Sequence, residues 1–296
     1  MSSSTQRPKV LVAGATGYLG GHVVEALHRE GYPIRALARN PEKLGARRAL
    51  CDEVVTAEAT RMETLDNVVG DASVLFSCLG KHDFKRTPTV REVDYQANMN
   101  LLNAAKAGGV TRVVFVSVVG GPLLRDLGIR TAKAREQVVD AIQASGLTWT
   151  ILRPSGFFND MGDFFRMAQS GTGWIIGDGS ATISPIHGAD LADVIVDKLN
   201  DPDAVNRAFD VGGPETFTMK EIMTLAFDVL KKPVKLRRLP GWLVKGTATA
   251  ISPFNPTVAD LIRAITVMSE RGAGAPNHGT HRLEAFFEAL AHPPAS

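Results

Sequence analysis

Three glycines at a spacing of three, Gly14, Gly17 and Gly20, sit in the stretch Gly14-Ala15-Thr16-Gly17-Tyr18-Leu19-Gly20. They follow a short apolar run, residues 10–13, that reads as a buried strand. They precede apolar residues at helical spacing, namely Leu19, Val23, Val24 and Leu27. A strand that turns through glycines into a helix aims bare backbone N–H groups at one point, and that point suits a pyrophosphate. Gly14 gives the tight turn, Gly17 lets the backbone approach the phosphates, and Gly20 lets helix and strand pack closely. A second binding feature follows the next strand, residues 32–41. An acidic residue just beyond such a strand accepts hydrogen bonds from the adenosine ribose, whereas an arginine attracts a 2′-phosphate. Here Arg35 and Arg39 occur with no Asp or Glu before Glu42. Arg39 is expected to stack on adenine and fork onto the 2′-phosphate, which favours NADPH over NADH. The alternative is that both arginines are solvated residues at a strand end.

Positioning these groups takes a regular alternation of elements. Residues 53–57 read as a third strand, and Leu65, Val68 and Val69 place one helical face after it. Residues 74–80 form a fourth strand that ends in small residues. A helix over 93–105 stops at Gly108-Gly109, a fifth strand covers 112–117, a helix starts from Thr131, and a sixth strand covers 147–154. Strands that recur with helices between them predict an α/β fold with a Rossmann-like, doubly wound parallel sheet. Ligands then lie beyond the carboxyl ends of the strands, so residues 77–80 should border the cofactor. Cys78 has no accompanying base and reads as a small buried cysteine.

Beyond Pro154 the texture changes. Phe157, Phe158, Phe164 and Phe165 crowd together, and Gly171, Gly173, Gly177 and Gly179 follow in a loop-rich run. The aromatic cluster is either core packing or a pocket for a flat apolar substrate. We therefore expect residues 7–155 to form an NADP-binding domain. Residues 156–296 would form a smaller C-terminal substrate-binding lobe, with a late strand near 208–212 returning to the main fold. Asp190 opens a helix apolar at Leu191, Val194, Ile195 and Leu199, and Thr218 with Glu221 forms a capping box for another. A Gly/Pro-rich interruption covers 272–279.

Lys and Arg number 33 against 31 Asp and Glu, so the net charge is +2 and nothing in the balance points to nucleic acid or an anionic membrane. With 44% hydrophobic and 22% charged residues the chain is an ordinary globular protein. No window approaches a membrane span, and residues 1–7 are polar without the apolar core of a secretory signal. Only Cys51 and Cys78 occur, which fits a reduced, cytoplasmic protein. No metal-binding motif and no internal repeat is present.

The G-x-x-G-x-x-G spacing resembles the extended and atypical short-chain dehydrogenase/reductases. In the usual members a tyrosine four residues before a lysine protonates a carbonyl, and the lysine binds the nicotinamide ribose. Here Lys133 matches the lysine, but Ile129 stands four residues before it. The tyrosines are Tyr18, Tyr32 and Tyr95, and none follows residue 95. This combination resembles the NmrA-like atypical members, and among them the divinyl chlorophyllide 8-vinyl reductase group. The similarity runs along nearly the whole chain: the glycine loop, Ala132-Lys133 with Glu136, Leu152-Arg153-Pro154-Ser155-Gly156-Phe157-Phe158, Ser184-Pro185-Ile186, Val211-Gly212-Gly213-Pro214, and Gly279-Thr280-His281-Arg282-Leu283-Glu284-Ala285-Phe286-Phe287.

The resemblance implies an NADPH-dependent reductase of an apolar conjugated small molecule, with a C=C rather than a carbonyl as the reduced bond. Expected cofactor contacts are Gly14, Thr16, Gly17, Tyr18, Leu19, Gly20, Arg39, Cys78, Leu79, Gly80, Ser117, Lys133, Pro154, Gly156 and Phe157. Phe158, Phe164 and His187 would line the substrate pocket. Lys133 would add positive charge where negative charge develops. The proton would come from Lys133, a nearby acid or water, and His187, beside Asp190 in sequence, is the suggestive acid of the second lobe. Its alternative role is a histidine at a helix start bonded to backbone. His82 and Asp83 are further candidates, or solvated loop charges. A second reading, also implied by NmrA-like proteins, is a non-catalytic NADP sensor that acts through a protein partner.

Overall fold

The computed structural model of the protein describes residues 7–81 and 85–293. In chain order the regular elements are β1 (Val10–Ala13), α1 (Tyr18–Arg29), β2 (Ile34–Ala38), β3 (Glu53–Thr56), β4 (Val74–Ser77), α2 (Ala97–Ala107), β5 (Arg112–Val116), α3 (Gly121–Asp126), α4 (Arg130–Gln143) and β6 (Thr148–Pro154). There follow α5 (Phe158–Gln169), β7 (Gly173–Ile176), β8 (Thr182–Ile183), α6 (Gly188–Asn200), β9 (Arg207–Val211), β10 (Phe217–Thr218), α7 (Met219–Val229), β11 (Leu236–Leu239), α8 (Gly241–Ile251), α9 (Pro256–Arg271) and α10 (Leu283–Ala291).

Seven strands form one sheet in the order β3-β2-β1-β4-β5-β6-β9. The pairings of β3 through β6 are parallel, with Val10 level with Ile34 on one side and with Val74 on the other. The order reverses between β1 and β4, so this is the doubly wound arrangement in which a ligand site opens at the carboxyl ends of those two strands. Every residue of β1 and of β4 is buried, as expected for strands covered on both faces. One face carries Leu11, Leu75 and Phe115, packed with Leu101 of α2 and Val138 of α4. The other presents Val10, Phe76 and Val114 to Val23 of α1 and Ile195 of α6.

Two compact units divide the chain. The first comprises residues up to Ser117 with Ala134–Leu152 and Ala192–Phe209; the second comprises Val118–Lys133, Arg153–Leu191 and the residues from Asp210 onward. The second unit has its own apolar core of Phe158, Met161, Phe165, Ile222, Phe227 and Phe287. Around this core stand two small sheets, β10-β8 and β11-β7.

Two expectations need correction. The helix at Leu65, Val68 and Val69 is absent: a single 3-10 turn covers Met62–Thr64. Asn67 and Gly70 both adopt positive φ, at 58° each, and break the helix, although the three apolar side chains are still buried. The run around Gly173 is not all loop, because Gly173–Ile176 pairs in parallel with Leu236–Leu239. The capping box at Thr218 is present, with Glu221 N–H donating to its hydroxyl at 3.1 Å.

Candidate functional site

In the first unit the glycine turn leaves β1 and enters α1. Gly14 adopts φ 100°, and a Cβ on Gly20 would lie 2.0 Å from the Gly14 carbonyl oxygen, so backbone meets backbone there and only glycine fits. Gly17 N–H donates to Gly14 O at 2.9 Å, which closes the turn. No side chain caps the start of α1. The N–H groups of Tyr18 and Leu19 in that first turn have no carbonyl four residues back inside the helix, and the helix dipole adds positive potential, whereas the Gly20 N–H is turned to the Cys78 thiol. Thr16 and Gly17 are exposed beside them, and Tyr18 stacks edge-on against His22.

The two arginines of β2 part company. Arg35 lies within the strand, level with Glu53 of β3, and pairs with that carboxylate while donating to Val68 O and Asn67 O at 2.8 Å each. It is a structural clamp. Arg39 lies one residue past the strand, 68% exposed, 3.4 Å from Glu58. A surface pair of that kind is worth about 0–1 kcal/mol. A forked contact from the guanidinium to a phosphate is stronger, so Glu58 would not retain Arg39 against such a ligand.

Past β4, Ser77 donates to Asn98 at 2.6 Å, and Asn98 donates to the Asp94 carbonyl at 3.0 Å. Asp94 is fully buried. Its carboxylate accepts from Lys81 N–H at 2.9 Å and pairs with Arg135 at 3.0 Å. Burial pushes its pKa above the ordinary carboxylate value, opposed by Arg135 and the Lys81 amide. The Arg135 guanidinium also donates to Val116 O at 2.8 Å, which ties α4 to the end of β5. A Cβ on Gly80 would fall 1.7 Å from Arg135 Nη2, so any side chain there would displace that guanidinium. Ser117 donates to buried Glu136 at 2.7 Å. Leu79 accepts from Asn98 at 3.3 Å. Cys78 sits with Sγ 3.6 Å from Ala13 O, and burial pushes its thiol up to about 12, which makes it unreactive at neutral pH.

Arg135→Ala is expected to strand the Asp94 carboxylate and to cost about 3 kcal/mol of stability by urea denaturation. Adding Asp94→Asn should recover part of that loss. A loss below about 1 kcal/mol for the single variant would mean the pair is not what organises these strand ends.

In the second unit Lys133 is exposed near the start of α4. Among the described residues no carboxylate pairs with its amine. The start of its helix is fixed by fully buried Asp260 of α9, whose carboxylate accepts from Arg130 N–H at 2.7 Å and Thr131 N–H at 3.1 Å. Nothing in the local sequence pointed to this long-range cap.

Pro154 O accepts from Val119 N–H at 3.1 Å, and Gly156 O accepts from Ile186 N–H at 2.8 Å. Phe157 bridges Ile186. Phe158 is a core residue, and Phe164 packs partly buried on the same core. The aromatic cluster is thus largely packing, with the Phe158 and His187 ring centroids 5.7 Å apart in an edge-on arrangement.

His187 accepts from Ala189 N–H at Nδ1, 3.2 Å away. Its ring stacks on His281 at 4.3 Å between centroids, with 21° between planes. Asp190, three residues after His187 in sequence, pairs instead with His281. Its carboxylate lies 2.7 Å from His281 Nδ1 and accepts the Thr280 and His281 N–H groups at 3.1 and 3.0 Å. Asp190 is buried, while the His281 side chain is half exposed. The Asp190–His281 pair with His187 stacked on it is therefore the titratable cluster of this unit, and His281 was not among the expected site residues. His82 and Asp83 lie outside the described residues. Tyr32 is occupied, donating to Asn200 at 2.5 Å and accepting from Arg7 at 3.0 Å, and Tyr95 lies under Arg91. Among the described residues no helix is long and apolar enough to cross a membrane, and no cluster of three metal-binding side chains occurs.

A parallel sheet reversing at a glycine turn, with an uncapped helix start beyond it, defines a dinucleotide-binding reductase-type fold. Residues 14–202 match the NAD(P)H-binding family. Divinyl chlorophyllide a 8-vinyl-reductase of Oryza sativa subsp. indica is 32% identical over 94% of this chain and 77% of that protein. The (4-alkanoyl-5-oxo-2,5-dihydrofuran-3-yl)methyl phosphate reductase of Streptomyces griseus is 30% identical over 90% and 89%. The NADPH-dependent quinone oxidoreductase of Escherichia coli shares the fold with a TM-score of 0.76 at 20% identity, covering 96% of this chain and all of that one. The chain belongs to the NAD(P)H-binding family.

Proposed function

We propose that the protein is an NADPH-dependent reductase that adds hydride and a proton across an electron-poor C=C of an apolar conjugated small molecule. The observation that carries this reading is the uncapped start of α1 after Gly17, with exposed Arg39 beyond β2. Relatives named for reduction of a vinyl group and of an oxo-dihydrofuran support an alkene as the acceptor. The free thiols of Cys51 and Cys78 fit a reducing compartment such as the cytoplasm. A protein partner for a sensing role draws no support from these relatives.

When bound, NADPH supplies a hydride to one carbon of the conjugated bond and is oxidised to NADP⁺. The uncapped N–H groups at the start of α1, those of Tyr18 and Leu19, would receive the pyrophosphate, and Arg39 would receive the 2′-phosphate. Lys133 would hold the nicotinamide ribose and stabilise negative charge that develops on the acceptor. Tyr32 and Tyr95 are engaged elsewhere, and Tyr18 belongs to the glycine turn, so the proton has another source. The imidazole of His281 serves, with Nδ1 held by Asp190 and Nε2 left to donate; solvent at its exposed edge reprotonates it. His187 stacks on that ring and fixes its plane.

The test is a titration of the wild type and Arg39→Ala with NADPH, NADP⁺, NADH and NAD⁺. NADPH affinity should fall tenfold or more in the variant while NADH affinity stays level. Equal losses for both cofactors would remove the 2′-phosphate assignment, and no binding by the wild type would remove the whole reading.

A further inference from the structure

The basic surplus of the chain is concentrated in one place. From residue 229 to 259 there is no Asp or Glu, while Lys231, Lys232, Lys235, Arg237, Arg238 and Lys245 all fall in that interval and all six are exposed. Lys245 is balanced by Glu270 of α9 at 2.8 Å, and Arg237 lies over the Trp174 ring. Among the described residues no carboxylate pairs with Lys231 or Lys235. A net charge of +2 over the whole chain conceals this local excess.

The helix that continues the basic segment is apolar almost all round. α8 reads Gly-Trp-Leu-Val-Lys-Gly-Thr-Ala-Thr-Ala-Ile, with Lys245 its one charge. A helix of that composition is ordinarily buried. Here only Ala248 is. Val244, Ala248 and Ile251, at i, i+4 and i+7, turn inward. The outward arc of Leu243, Gly246, Thr247 and Ala250 carries no charge, and Phe254 follows in the same phase just past the helix end. Trp242 is 74% exposed and Phe254 73%. Largely exposed aromatics at the start and just past the end of an apolar helix, directly after a run of cations without acids in sequence, form the pattern of an interfacial segment.

We propose that the basic segment 231–238 and α8 form a membrane-docking surface that lays α8 flat on an anionic lipid bilayer. Trp242, Leu243 and Phe254 would enter the headgroup boundary, and Lys231 and Lys235 would meet acidic headgroups. The lipid is chosen over a protein partner because the cations and the aromatics would be satisfied together only by a surface that is anionic outside and apolar beneath. Such docking would hold the enzyme where apolar substrates collect.

The test is co-sedimentation of the full chain with phosphatidylcholine vesicles, with and without phosphatidylserine, at low and high salt. The wild type should bind the phosphatidylserine vesicles, and release with salt. The variant W242S/F254S and the variant K231E/K235E should each bind at least tenfold more weakly while NADPH binding and melting temperature stay unchanged. A blue shift in tryptophan fluorescence on vesicle addition should shrink markedly in Trp242→Phe, with the half-buried Trp149 as the silent control. Absence of phosphatidylserine-dependent binding by the wild type would overturn the proposal. So would a stable dimer whose formation W242S/F254S abolishes, because the face would then belong to a second copy.

Discussion

Gly20→Ala is expected to lose NADPH binding by a hundredfold or more, and to lower the melting temperature as well. The added Cβ would meet the Gly14 carbonyl oxygen at 2.0 Å, its carbon at 2.5 Å and Ala15 Cα at 3.0 Å. All three are backbone atoms, so no side chain can swing aside and the turn itself must open. Overpacking of this kind costs about 1–3 kcal/mol of stability. The same movement would displace the uncapped N–H groups at the start of α1, which serve a pyrophosphate only while the turn holds them in place.

Gly17→Ala separates these two effects. Its Cβ would lie 3.3 Å from Gly14 O, a contact that a few tenths of an ångström would relieve, so the fold should stand. The methyl group would occupy the side from which phosphates approach. We expect a loss of affinity with little loss of stability, read by NADPH fluorescence titration and thermal melting on the same samples. If Gly20→Ala bound NADPH as tightly as the wild type, the turn would be a structural feature only.

These glycines were legible in the sequence because strand, turn and helix are contiguous there, and local spacing is enough to define the geometry. The doubly wound sheet was legible for a related reason, since each buried strand is a continuous apolar run. What escaped the sequence depends on register or on long-range pairing. Arg35 and Arg39 are equivalent by strand parity, and only the level of Glu53 on β3 shows that Arg35 is spent on structure. The apolar spacing at Leu65, Val68 and Val69 suggested a helix that left-handed Asn67 and Gly70 forbid. Asp190 was read beside His187, three residues before it in sequence, whereas its carboxylate faces a histidine 91 residues further on. Asp260 caps a helix that begins 130 residues before it. Spacing rules have no access to contacts of that reach.

His281→Asn should reduce turnover of a conjugated enone by about 10²–10⁴-fold, the usual worth of a positioned acid. NADPH affinity should be unaffected, because in the proposed scheme the ring holds a proton rather than the cofactor. Asp190→Asn should be damaging in two ways. The carboxylate accepts from Thr280 N–H, His281 N–H and His281 Nδ1. A carboxamide has one acceptor oxygen, so at least one donor loses its charged partner, and stability should fall by about 1–3 kcal/mol. Turnover should fall with it as the imidazole loses its fixed orientation. His187→Asn removes only the stacked ring and should cost far less. The order His281→Asn above His187→Asn, measured as NADPH oxidation under saturating cofactor, distinguishes a proton donor from a packed aromatic cluster. If both variants turned over at the wild-type rate, the proton would come from Lys133 or from solvent. In that case Asp190 would serve only to anchor the chain at Thr280 and His281 against the start of α6.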